Sequence, residues 1–221
     1  MHDQKYVNII KDKVQSWPYD VPITTNAVAT ALTDTFNIDI ENAKKVTNVN
    51  LKRIADKGEL AHIQKGVYVK VKETPFGKTT PGIDEITAGL LLRDGENIIG
   101  YIAGPTLLNA IGLCSLIPNE FHIATNSYRQ RLPAGTAIRI HRPLDAVNLR
   151  NAPYLQIIDA FMSMNQYLID VDNPDEILRR EMAVNKIDNR RLIKYARKHC
   201  DYKTLVKTID VALGGNEDET P

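Results

Sequence analysis

The chain has 221 residues, of which 43% are hydrophobic and 25% charged, and its formal net charge is +1. Those proportions are ordinary for a soluble globular protein, and the length is enough for two domains. No apolar run approaches the roughly 20 residues that span a bilayer. The first 14 residues carry scattered charges where a secretory signal needs an apolar core. Cys114 and Cys200 lack metal-ligand spacing and read as free thiols of a reducing cytoplasm.

In chain order, residues 5–16 read as a helix with Tyr6, Ile9, Ile10, Lys13 and Val14 near helical spacing, ended by Trp17-Pro18. Residues 22–37 read as a second helix, capped by Thr24 or Thr25, with Val28, Ala31, Leu32 and Phe36 as its apolar stripe. Residues 36–39 make a turn, and Asp39 reads as the N-cap of a third helix over 40–57. In that helix Ala43, Thr47, Leu51 and Ile54 face inward, and Gly58 closes it. Residues 60–63 and 67–71 are two strands around Gln64-Lys65-Gly66, where Gly66 suits a positive φ. Residues 73–82, ETPFGKTTPG, read as a linker, which sets a first domain over 1–75 and a second over 82–221.

The second domain starts with a helix over 84–93 and a strand over 98–103. Gly104-Pro105-Thr106 breaks the strand, and a short helix over 107–111 stops at Gly112. Strands over 121–125 and 136–142 are joined by a polar turn-bearing segment. The last third is helical, over 153–169, 175–184 and 188–213, with an acidic tail after it. The fold class expected is therefore α+β: an N-terminal winged helix-turn-helix, then a mixed α/β domain ending in helices.

Charge distribution carries the functional signal. Residues 40–72 hold eight Lys/Arg against three Asp/Glu, and residues 186–207 hold eight against two. A recognition helix followed by a β-wing is the reading half of a winged helix, and its ligand is duplex DNA. Lys44, Lys45, Lys52 and the wing-tip Lys65 are candidates for phosphate contact. Asn48 and Arg53 are candidates for base-edge readout, and Asn42 for approach from the helix N-terminus. The second basic patch, Arg190, Arg191, Lys194, Arg197 and Lys198, reads equally well as an extended DNA footprint, an RNA or acidic-protein surface, or a solvated helix face.

No catalytic constellation, metal site or cofactor motif is expected. Gly77-Lys78-Thr79 lacks the glycine five residues earlier, the strand and the helix of a phosphate-binding loop. Asp170, Asp172 and Asp175 lack the glycine and glutamate of a calcium loop, and Pro174 occupies a ligand position, so they read as helix-capping residues. His122 and His141 fall on the expected strands as structural neighbours. A nucleic-acid-processing enzyme and a protein-binding winged-helix scaffold are the alternative functional classes.

Two stretches together carry a family resemblance. One is the wing, Gly58-Glu59-Leu60 and Lys65-Gly66-Val67-Tyr68. The other is residues 100–113, GYIAGPTLLNAIGL, followed by Ile123-Ala124-Thr125-Asn126, Arg129-Gln130-Arg131 and Ile138-Arg139-Ile140. Over roughly residues 5–160 the chain resembles the AbiEi-type antitoxins of bacterial abortive-infection toxin–antitoxin systems, which act in phage defence. Leu108 stands where that family has a small residue. The resemblance implies a winged helix that represses its own operon by binding inverted repeats in the promoter. It also implies a C-terminal domain that counteracts a co-encoded nucleotidyltransferase-like toxin, without requiring a stable toxin–antitoxin complex.

Overall fold

The structure is a computed structural model that describes residues 2–19, 21–132 and 134–214; the acidic tail after Gly214 lies outside the described residues. The chain is mixed α and β, ends in helices, and divides into two compact units, Met1–Asn97 and Ile98–Pro221.

The first unit begins with α1 (His2–Ser16), β1 (Ile23–Thr24), α2 (Thr25–Phe36) and α3 (Ile40–Asp56), followed by β2 (Leu60–Gln64) and β3 (Val67–Lys70). Local chemistry sets the helix ends. Thr24 accepts from the Ala27 amide, and Asp39 accepts from the amides of Glu41 and Asn42, so side-chain oxygens satisfy donors that the first turns leave unpaired. Asn37 takes a left-handed conformation at φ 50° to end α2. Gly58 follows α3 at φ +78°, and Gly66 turns the wing at φ +74°. Ala43, Thr47, Leu51 and Ile54 are all buried, as their spacing requires. They pack with Ile10, Val14, Val28, Leu32 and Tyr68 in one core.

Sequence patterning misses β1. It is two residues long, and its identity comes from its antiparallel partners, Ile23 with Tyr68 and Thr24 with Val67. It completes a sheet of order β1-β3-β2 that fixes the wing to the start of α2.

The expected linker is instead a hairpin of β4 (Lys72–Thr74) and β5 (Gly77–Thr79), closed by the Thr74 hydroxyl donating to the Gly77 carbonyl. The compact unit then continues through α4 (Ile83–Leu92) and β6 (Arg93–Asp94), beyond the expected boundary; β6 pairs with β7 (Asn97–Ile98).

Two polar atoms of the first unit's interior lack a partner among the described residues, the Trp17 indole nitrogen and the Thr47 hydroxyl, and the Thr47 side chain is fully buried. A buried hydroxyl without a hydrogen bond costs free energy that a shape-matched methyl does not. Thr47→Val is therefore expected to stabilise this unit by about 1 kcal/mol, read as a rise in its urea midpoint. A fall would show that the hydroxyl is paired.

The second unit contains β8 (Gly100–Ile102), α5 (Gly104–Ala110), β9 (Phe121–Thr125), β10 (Ile138–His141), α6 (Ala152–Ser163), α7 (Pro174–Val184), α8 (Asn189–His199) and α9 (Tyr202–Leu213). Its sheet has the order β10-β9-β8, with β9 antiparallel to β8 and parallel to β10. Gly104-Pro105 ends the strand, as expected, and also begins α5, ahead of the expected start at 107, because proline tolerates the first helical turn. The expected helix over 188–213 is two helices. Cys200 is extended at ψ 153°, and Asp201 caps α9 by accepting from the Thr204 amide. The expected helix over 153–169 ends at Ser163, and Asn165 beyond it donates to the Thr204 hydroxyl. Leu107, Leu108, Leu113, Ile158, Phe161, Leu178, Leu192 and Val211 form the main core.

Asp170, Asp172 and Asp175 do not cap α7, whose N-cap Asn173 makes no side-chain cap bond. Asp170 instead accepts from the backbone amide and hydroxyl of Ser115, and Asp175 pairs with Lys207 at 2.6 Å. Among the described residues no helix is long and apolar enough to cross a membrane.

Candidate nucleic-acid interface

The outward face of α3 follows from its period. At about 100° per residue, Glu41, Lys45, Asn48, Val49, Lys52 and Asp56 share one arc opposite the buried stripe. All six are exposed. Lys45 and Lys52 are about one and three turns along from Glu41, and among the described residues neither carries an ion pair. Lys44 lies on the flank and is bonded to Glu41 at 3.1 Å. Arg53 lies on the other flank, beside α1, where it lines a cavity of about 350 Å³ with Val7, Lys11 and Lys57. The expected set therefore separates into a central pair, Lys45 and Lys52, and two lateral groups.

Sequence reading passed over Val49, which is 49% exposed between Asn48 and Lys52. An apolar side chain there is the group that contacts a thymine methyl in a major groove. Its signal was present, since a valine on a charged helix face is out of pattern.

Asn48, Thr25 and the wing are linked. The Thr25 hydroxyl donates to Asn48 Oδ1 at 2.7 Å, and the Thr25 amide donates to the Gly66 carbonyl at 2.8 Å. Two hydrogen bonds on one residue thus register the wing turn, the N-terminus of α2 and the middle of α3. The Asn48 carbonyl oxygen keeps one lone pair and its amide both protons, so its capacity for adenine remains, in a fixed orientation. Lys65 is exposed at the wing tip next to Gly66.

The second basic patch lies on α8 and is partly engaged. Arg191 lies over the Tyr154 ring at 4.5 Å and near Tyr195 at 5.9 Å. Lys198 bonds Asp145 at 2.6 Å, and His199 joins the same carboxylate at 3.0 Å. Arg190, Lys194 and Arg197 are exposed without ion pairs among the described residues. The patch is thus three unpaired cations and two held in place.

A polar cluster in the second unit also escaped sequence reading, apart from the neighbouring histidines. His141 Nε2 lies 3.0 Å from His122 Nδ1. Asp159, on α6, accepts from the Gly104 amide at 2.9 Å and the Ser163 hydroxyl at 3.1 Å. Burial raises the Asp159 pKa and lowers both histidine values. Among the described residues no group of three or more His, Cys, Asp or Glu side chains is arranged to hold a metal ion.

The cluster sets a pH dependence. A histidine whose folded pKa is depressed binds fewer protons folded than unfolded, so its stabilising contribution is present above about pH 6.5 and is lost as pH falls. Asp159, with a raised value, acts oppositely: its cost is present at high pH and is relieved on acidification. Between pH 7.5 and 5.5 the thermal midpoint of this unit should therefore shift downward relative to that of His141→Gln. Parallel profiles for the two proteins would count against the pair as the source.

A family model matches residues 24–138, just over half of the chain, with the description of a family of unknown function, DUF6088. The chain belongs to the DUF6088 family. The DUF6088 stretch opens at Thr24 in β1 and closes at Ile138, the first residue of β10. It takes in α3 and the wing in full, and from the second unit the β8-α5-β9 segment that includes Gly104 and His122. The α8 patch and Asp159 lie outside it. No curated protein matches the chain.

Proposed function

We propose that this DUF6088 protein binds duplex DNA through α3 and the wing, and that it is a cytoplasmic bacterial antitoxin and autorepressor acting by binding and not by catalysis. The observation that carries the reading is the Thr25 link, which holds an exposed helix face bearing Lys45, Asn48, Val49 and Lys52 in register with the wing bearing Lys65. Lysines there neutralise phosphates, and Asn48 and Val49 meet base edges. Inverted repeats in the promoter of its own operon are the proposed operator, because two copies of one reading head require two half-sites.

The second unit is the proposed antagonist of a co-encoded nucleotidyltransferase-like toxin. This part rests on the likeness of residues 100–140 to the AbiEi-type antitoxins, and it does not require a stable complex with the toxin. The two roles are separable in one experiment. The full chain with Lys45→Ala and Lys52→Ala is expressed beside the adjacent toxin gene, with an operon-promoter reporter. Rescued growth with derepressed reporter is the expected result. Loss of rescue with repression intact would overturn the division of labour.

A further inference from the structure

Two cavities adjoin in the first unit on either side of the Lys13–Glu96 ion pair. One, of about 360 Å³, lies against α2 and is lined by Asn26, Thr30, Asp34 and Asp94. The other, of about 590 Å³, is lined by Pro18, Val21 and Arg93. Both share Lys13, Trp17, Gly95 and Glu96. Such volumes are those of small-molecule sites, which combine an aromatic wall with a few convergent polar groups.

Trp17 is that wall. It is 7% exposed, and its indole N–H has no hydrogen-bond partner among the described residues. The nitrogen itself is fully buried, so the indole serves the cavities as an apolar wall. Lys13 Nζ sits 6.0 Å from the ring centroid and bonds Glu96 at 2.6 Å, so these two charges largely neutralise each other. What remains is of opposite sign on the two sides. Asp34 and Asp94 face the first cavity, Arg93 faces the second, and none of the three has an ion pair among the described residues. Gly95 holds the β6-β7 turn close to α2: at φ +62° a Cβ there would lie 2.8 Å from the Ala27 Cβ.

We propose that the paired cavity binds a small zwitterion, a free amino acid or dipeptide. Its ammonium lies toward Asp34 and Asp94, and its carboxylate lies toward Arg93, with the Trp17 ring as the apolar wall between them. A simple cation would leave Arg93 unanswered, and a simple anion would face two uncompensated carboxylates. The proposal is independent of the nucleic-acid reading.

Trp17 is the chain's only tryptophan, so tryptophan emission arises from this site. The full chain is titrated with each non-fluorescent amino acid and with glycylglycine, and with putrescine and acetate as single-charge controls. A saturable emission change with at least one zwitterion is expected. Its apparent affinity should be weakened about tenfold or more in Asp94→Asn and in Arg93→Gln, as expected for loss of a charged hydrogen bond. Gly95→Ala, which forces the turn off α2, should weaken it as well. Far-UV circular dichroism melts check that each variant folds. The proposal is overturned by no saturable change up to about 10 mM of any zwitterion, weaker than any useful site. An equal response to putrescine or acetate alone overturns it too, as does unchanged affinity in both charge variants.

Discussion

Replacing Lys45 and Lys52 together by alanine is expected to weaken binding to the operon promoter about thirtyfold at 0.15 M salt, and to flatten the salt dependence of log K by about 1.8. The magnitude comes from counterion release, since each neutralised phosphate contributes a slope near 0.9 on duplex DNA. These two lysines are the ones to remove because they occupy the centre of the exposed arc of α3 without an ion pair among the described residues. Lys44→Ala should do less, because Lys44 already bonds Glu41 at 3.1 Å and DNA must displace that partner. Asn48→Ala should differ in kind, with little change in salt slope and relaxed discrimination at one base pair. Mobility shifts at two salt concentrations, with operator and scrambled duplexes, separate the three outcomes. An unchanged slope in the double variant would remove α3 from the interface.

The helix–wing unit was legible because its signals are local. Thr24, Asp39, Gly58 and Gly66 each announce an element end through their own side chain or its absence, and the buried stripe of α3 repeats with the helical period. What was illegible depends on residues far apart in sequence. The two-residue β1 exists only through its pairing with Tyr68 and Val67. The division of the last helix falls at Cys200-Asp201, where neither glycine nor proline marks it and only an aspartate cap does. The basic patch looked uniform because nothing local shows that Arg191 is drawn onto Tyr154, or that Lys198 is drawn onto Asp145. Asp159 carried no signal, since an acidic residue in an otherwise apolar helix looks solvent-facing until Gly104 and Ser163 are found on it.

Leu51→Ala is the substitution expected to cost most in stability. Leu51 is fully buried in α3 between α1 and α2, in the core that holds the recognition face in place. Deleting its side chain there should destabilise the unit by about 3–5 kcal/mol, a large share of the roughly 5–15 kcal/mol that a domain has. With a urea slope of about 1–3 kcal/mol per molar, the midpoint should fall by roughly 2 M. The protein carries its own probe, because Trp17 lies in the first unit and is the only tryptophan. The fall should therefore appear in Trp17 emission. Ile158→Ala, fully buried in the other core, should leave that curve in place and shift only part of the far-UV signal. If both substitutions move Trp17 emission equally, the two cores unfold as one, and the division at Asn97 is geometric without being energetic. The same curve discriminates among DNA-binding variants. Lys45→Ala with Lys52→Ala removes exposed charge and should leave the Trp17 midpoint unchanged while affinity drops. Leu51→Ala should lose affinity only as the unit unfolds. The first pattern is the mark of a contact surface and the second that of its support.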